Sequence, residues 1–192
     1  MPRKHVVGNE TILDAAFALL RSEGERALNA RRIAEEAGCS VQPLYSAFGG
    51  MDGLMDALRS RCEEWLAVFV EKGMPLGANP FESIGLTHVR LARQEPHLFS
   101  FLYLSKAHPF HGFAGLYADV ARADVEAYVA DTPDMSPERA RWIYLKMILF
   151  THGIASFIAT GAATFDEREV HEQLDDAFWA FLNGMDRKGR AE

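Results

Sequence analysis

The sequence predicts an all-α fold, a small three-helix head joined to a larger helical body. Three observations predict it. Apolar residues recur at i, i+3 and i+4 in nearly every segment, and no run alternates as a half-buried strand would. The stretch Asn29 to Phe48, NARRIAEEAGCSVQPLYSAF, reads as two short helices meeting at a tight corner. One clear Gly/Pro-rich break, Gly73 to Pro80, divides the chain into a head of residues 1–50 with a linking helix over about 51–72, and a body of residues 73–192.

Thr11 to Ser22 carries Ile12, Ala15, Ala16, Leu19 and Leu20 on one stripe, an amphipathic helix whose core is closed by Phe17, Leu28 and Phe48. Asn29 stands where a helix-capping residue is expected, ahead of Ala30, Ile33, Ala34 and Ala37 at helical spacing. Gly38 can take the left-handed turn that ends this helix. Ser40 then opens Val41 to Phe48, with its hydroxyl expected to accept from the Gln42 N–H. Pro43 falls at the third helical position, where its missing N–H costs no intrahelical bond.

Gly49 and Gly50 turn the chain into a long helix from Met51 to about Lys72, with Leu54, Leu58, Cys62, Trp65, Leu66 and Phe69 along one apolar face. Such a rod, shared by head and body, can transmit a shift between them. Asn79, Pro80 and Glu82 form a capping-box variant at the start of a helix that runs to about Gln94 and stops before Pro96. His97 to Lys106 is apolar and aromatic, Ala107 to Gly112 a loop, and Phe113 to Asp131 another helix. Thr132 to Met135 is a turn. Ser136, Pro137 and Glu138 begin a long helix to about Thr160, and Asp166 to Met185 gives the last, with Val170, Leu174, Ala177, Phe178, Phe181, Leu182 and Met185 at heptad-like spacing.

With 48% apolar and 24% charged residues the chain has the composition of a soluble globule. No targeting segment is visible, and the most apolar run, Trp142 to Ile158, carries Lys146 and His152 and is short for a bilayer span. The expectation is a cytoplasmic protein with no membrane partner. Cys39 and Cys62 belong to no CxxC, which fits reduced packing residues. A net charge of −7 argues at first against nucleic acid, but Met1 to Cys62 is neutral, with eight Lys/Arg against eight Asp/Glu. The remainder holds twelve against nineteen and carries the whole excess. A neutral head can still bind phosphates if its bases face one way.

IAEEAGCS followed by LYSAF and then GGMDGL resembles the DNA-binding segment of the TetR family of bacterial transcriptional repressors, over about Glu10 to Leu58. The resemblance implies a dimeric regulator that binds operator DNA and releases it when a small molecule enters the body. Arg3 and Lys4, with His5, resemble the family's basic arm; a frayed polar terminus is the alternative. Asn29, Arg31 and Arg32 open the helix whose first turn touches the DNA backbone in the family. The exposed set of the second helix is Ser40, Val41, Gln42, Pro43, Tyr45 and Ser46, with Ala47 at its margin. Gln42 can make a bidentate contact to adenine, while Val41, Pro43 and Ala47 can meet thymine methyls. Tyr45 resembles the family's phosphate-binding aromatic; covering the corner is its plainer use. Members often carry a hydroxyl residue at Pro43, an aromatic or His at Ala47, and Lys at Met51, so the contact set here is contracted.

In the body, LKMILFTHGIASFIATG resembles the HG-centred motif of one TetR C-terminal subgroup, with Phe150 and Thr151 before the His-Gly pair where a Trp often precedes it. Gly153 and Gly161 let a neighbouring helix approach closely. The last two helices are therefore candidates for a homodimer face, a four-helix bundle using Ile154, Phe157, Ile158, Leu174, Phe178, Phe181 and Leu182. Aromatic density elsewhere serves mostly as core, and part of it can line a cavity for an apolar or aromatic effector. The candidates are Trp65, Phe69, His88, Leu91, Phe101, Tyr103, Phe113, Tyr117, Met147, Phe150 and His152, with His88 or His152 as polar handle. His108 and His111 flank Pro109 in a loop without acidic or thiol neighbours, so no metal and no cofactor are expected. No G-x-S-x-G, H-E-x-x-H or acidic cluster marks an enzyme. A helical enzyme or carrier for an apolar molecule, and an architectural DNA binder without effector, are the alternatives to an effector-responsive repressor on a palindromic operator.

Overall fold

The computed structural model describes residues 7–73, 76–105, 111–131 and 135–184. Arg3 and Lys4 of the basic arm, and the loop histidine His108, lie outside the described residues. Ten α-helices account for most of the described chain, which contains no strand. They are α1 (Asn9–Glu23), α2 (Ala30–Glu36), α3 (Val41–Phe48), α4 (Met51–Gly73), α5 (Pro80–Gln94), α6 (Pro96–Phe99), α7 (Gly112–Val120), α8 (Ala123–Ala130), α9 (Pro137–Ala159) and α10 (Glu167–Gly184).

Helix boundaries follow local chemistry. Asn29 accepts the Arg32 N–H at 3.0 Å and Ser136 the Arg139 N–H at 3.2 Å, each the third helical position. Asp166 and Glu169 satisfy each other's backbone N–H groups at 2.7 and 2.9 Å, a complete capping box. Asn79 accepts the Glu82 N–H at 2.9 Å, while the Glu82 carboxylate turns back to the N–H of Ala78.

Contacts divide the chain into two units, Met1–Phe69 with Glu95–Ser105, and Val70–Gln94 with Lys106–Glu192. In the first unit, Ile12, Leu13, Ala16, Leu19, Leu20, Ile33, Leu44, Leu54, Leu58 and Cys62 form one core that also holds Leu98 and Phe101. Burial pushes the Cys62 thiol up to about 12, so it packs there as a neutral group. The segment Glu95–Ser105, grouped with the body by sequence order, is tied to this unit by its side chains. Arg21 chelates the Glu95 carboxylate, and Arg59 donates to the Phe101 carbonyl at 3.3 Å and the Ser105 hydroxyl at 3.0 Å. After α6 the chain widens into a π-helical turn, Ser100–Leu104.

In the second unit α9 is the central helix, packed by α5, α8 and α10. Its length and composition alone would suit a membrane span, but Ala140, Ile143, Tyr144, Met147, Thr151 and Ala155 are buried within the unit. The single helix expected over Phe113 to Asp131 is two helices. Ala121 and Arg122 are extended, and the Tyr144 hydroxyl accepts the Arg122 N–H at 3.2 Å. Tyr144 on α9 thus satisfies a backbone donor that continuing the helix would have used, and the chain bends there.

Candidate nucleic-acid interface

The corner between α2 and α3 is closed by two backbone hydrogen bonds. Cys39 N–H reaches the Ala34 carbonyl at 2.9 Å and Gly38 N–H the Glu35 carbonyl at 3.0 Å, the paired bonds of a Schellman turn. Gly38 has φ +67°, a conformation that costs a side-chain-bearing residue roughly 1–2 kcal/mol. Leu44 is the anchor that fixes α3: fully buried, it points into the core beside Ile33 and Leu54. With Leu44 inward, the remaining residues of α3 are distributed by helical periodicity. Val41, Gln42, Tyr45 and Ser46 are exposed, Val41 by 40% and Tyr45 by 51%. Pro43 and Ala47 are half-buried, so they sit at the margins of that face.

Ser40 has the extended geometry of an N-cap, but its side chain makes no cap hydrogen bond, contrary to the expected acceptance from Gln42. Ser40 itself is exposed. Asn29, Arg31 and Arg32 are also exposed, at the start of α2. Arg32 reaches Glu23 at 2.6 Å, which leaves Arg31 as the first-turn cation of α2 without such an acidic tie. A further residue positions α3. Gly53, in the first turn of α4, lies so close to the Phe48 carbonyl that a Cβ there would overlap the oxygen. The GGMDGL string contained this glycine, but its spacing alone did not show which backbone it would meet.

The expected effector-lining side chains are distributed over both units. Trp65, Phe69, Phe101 and Tyr103 belong to the first unit. There Trp65 stacks on Phe69 at 5.1 Å and packs beside Phe17, Phe101 is buried under the Arg59 guanidinium, and Tyr103 packs on Phe99 at 5.2 Å. In the second unit Tyr117 is buried against Tyr144, with its hydroxyl bonded to Glu126, and Phe113 is 65% exposed. Leu91 and Met147 are buried on α5 and α9. His88 and His152 do meet, with Nε2 and Nδ1 3.3 Å apart. Burial and the neighbouring His152 push His88 down to about 3, and burial lowers His152 too, so both rings are neutral. Buried Ser83, Thr87 and Thr151 continue this polar seam along α5 and α9.

Phe150 lines a groove of about 420 Å³ between α9 and α10, with Ile154, Phe157, Phe165 and Val170. Of the expected dimer residues, Ile154 and Phe157 face this groove and Phe157 is 55% exposed. Ile158 is half-buried beside them. Phe178 packs on Phe81 of α5, Leu174 approaches Gly85 of α5, and Phe181 packs on Trp142 and Phe150, while the Leu182 carbonyl accepts from Arg139. These four therefore pack α10 against α5 and α9. Trp179, 54% exposed and one position off the heptad stripe, is the outward aromatic that the periodicity did not single out.

Residues 12–58 match the sequence profile described as bacterial regulatory proteins, tetR family. Comparison with curated proteins gives no match. The fold is similar to that of a TetR-like transcriptional regulator from Rhodococcus sp. RHA1, at 16% identity and a TM-score of 0.62, over 96% of this chain and 99% of that one.

Proposed function

We propose that this chain, whose residues 12–58 match the profile of the tetR family of bacterial regulatory proteins, is a homodimeric repressor that releases a palindromic operator when a small apolar or aromatic effector binds. The observation that carries the DNA-binding part is the face of α3. A buried Leu44 and a tight corner hold Gln42 and Tyr45 outward, beside the Asn29-capped start of α2 and its exposed Arg31. That pairing gives a base-reading helix and a phosphate-facing helix start on one small unit.

Dimerisation is proposed through the outer face of α9 and α10. An apolar groove lined by exposed Phe157, with Trp179 exposed further along α10, suits burial against a second copy. Two-fold symmetry of the protein then asks for two-fold symmetry of the site. Effector and operator affinities are linked, so each must change the other by the same factor. Selecting bound fragments from random duplex DNA with the full chain tests the reading: a palindrome is expected, and no enriched sequence would overturn it. A saturating bound effector that left operator affinity unchanged would remove the release mechanism while leaving DNA binding intact.

A further inference from the structure

The reading helix carries no charge. Between Val41 and Phe48 there is no Lys, Arg, Asp or Glu, and the side chains it exposes are Val41, Gln42, Tyr45 and Ser46. This composition restricts which base edges α3 can distinguish. Guanine presents two acceptors, O6 and N7, and its specific partner is a bidentate Arg or Lys. Cytosine offers an amino donor whose specific partner is a carboxylate. Neither partner exists on α3. Serine hydroxyls meet any base edge and discriminate little.

The Tyr45 hydroxyl, which can both donate and accept, discriminates no better than serine's, so two groups remain that carry sequence information. The Gln42 amide matches adenine, one end accepting from N6 and the other donating to N7. The Val41 side chain matches the thymine 5-methyl, the one apolar group on the floor of the major groove. Half-buried Pro43 and Ala47 sit at the edge of the face. Consecutive helical residues point roughly 100° apart around the axis, so Val41 and Gln42 are directed at different base edges.

Resting on the DNA-binding reading above, we infer that the base pairs beneath the first turn of α3 are A·T pairs, with a thymine methyl read by Val41 and an adenine edge by Gln42. Within the operator, α3 selects A·T by shape and amide pairing and leaves G·C unread. Both side chains are exposed, so truncating either leaves the core untouched.

The test uses the full chain and the duplex recovered by selection. Thymine is replaced by 2′-deoxyuridine, which removes only the methyl, and adenine by 7-deaza-2′-deoxyadenosine, which removes only N7. The first change should weaken binding about fourfold, the worth of one buried methyl group. The second deletes one of two bonds and should weaken it about fivefold or more, within the roughly 160-fold ceiling of a whole bidentate contact. Val41→Ala should lose the response to deoxyuridine and Gln42→Ala the response to the deaza base, each keeping the other. A recovered palindrome with G·C pairs under α3, or analogue effects that persist unchanged in the two variants, would overturn the inference and leave the regulator reading standing. Absence of any enriched duplex would remove both.

Discussion

His88→Asn should make the folded protein less sensitive to acid. In the folded chain His88 is held down to about 3 by burial and by His152, whereas an imidazole in an unfolded chain titrates near 6.5. Between those values the unfolded state binds a proton that the folded state refuses. Stability is therefore full above pH 6.5 and falls as pH drops toward the folded value. Each pH unit in that window costs about 1.4 kcal/mol per refused proton, so lowering pH from 7 to 5 removes about 2 kcal/mol through His88. For a chain of this size that is a fall in Tm of about 4–8 °C. His152 is lowered by burial as well and adds in the same direction. Asp124, whose carboxyl is held low first by its hydrogen bond to Arg122, acts only below the carboxylate range and does not confuse the window. Asn keeps a polar group beside His152 Nδ1 without a titrating ring. Thermal melts between pH 7 and 5, at one fixed protein concentration, should show a shallower fall for His88→Asn than for the native chain. Equal slopes would refute the assignment of acid sensitivity to this pair.

Gly53→Ala places a methyl group against the Phe48 carbonyl, so α3 must shift or α4 must unwind at its start. An overpacking cost of about 1–3 kcal/mol is expected, with loss of operator affinity larger than the loss of thermal stability alone explains; retention of both in binding and melting assays would remove Gly53 from the positioning of α3. Arg31→Ala should weaken binding to all sequences alike and lower the salt slope by about one per head, which titrations at several salt concentrations read directly; a changed base preference would count against a phosphate role. Phe157→Asp replaces an exposed ring at the α9–α10 groove and should yield folded monomer in sedimentation, whereas an unaltered dimer would place the interface elsewhere.

The parts of the fold that local chemistry decides were legible in the sequence. Asn29, Ser136 and Asp166 each stand at a helix start because each side chain satisfies a backbone donor three residues on. The corner was legible for the same reason: Gly38 supplies the one conformation that lets Cys39 and Gly38 bond back into α2. Features set by distant side chains were not. Nothing local breaks the helix at Ala121 and Arg122, since neither is Gly or Pro and the partner, Tyr144, lies on another helix. Aromatic residues at positions 65 and 101 look alike to those at 113 and 150 in a list of ring-bearing side chains. Only tertiary packing separates the buried Phe101 from the exposed Phe113. Trp179 escaped because the stripe defined by Leu174, Phe178, Phe181 and Leu182 faces α5 and α9, and the outward face of α10 falls one residue away.

The unit that presents α3 is not built from the N-terminal segment alone. Leu98 and Phe101 are buried in the same cluster as Leu44 and Leu54, the residues that seat α3 and the start of α4. Glu95 is held by Arg21 from α1, and the Nδ1 of His97 lies 2.9 Å from where a Cβ on Gly24 would sit. Gly24 itself has φ +82°, so the close approach of His97 and the backbone conformation both demand glycine there. Removing a buried Leu or Phe from a packed core costs about 2–5 kcal/mol each, a large share of the stability of a small helical unit. The helix-turn-helix spacing is thus a sufficient signature for recognising the motif and an incomplete description of what holds it. The core that seats α3 is completed by Leu98 and Phe101, from a helical segment some fifty residues downstream of Gln42.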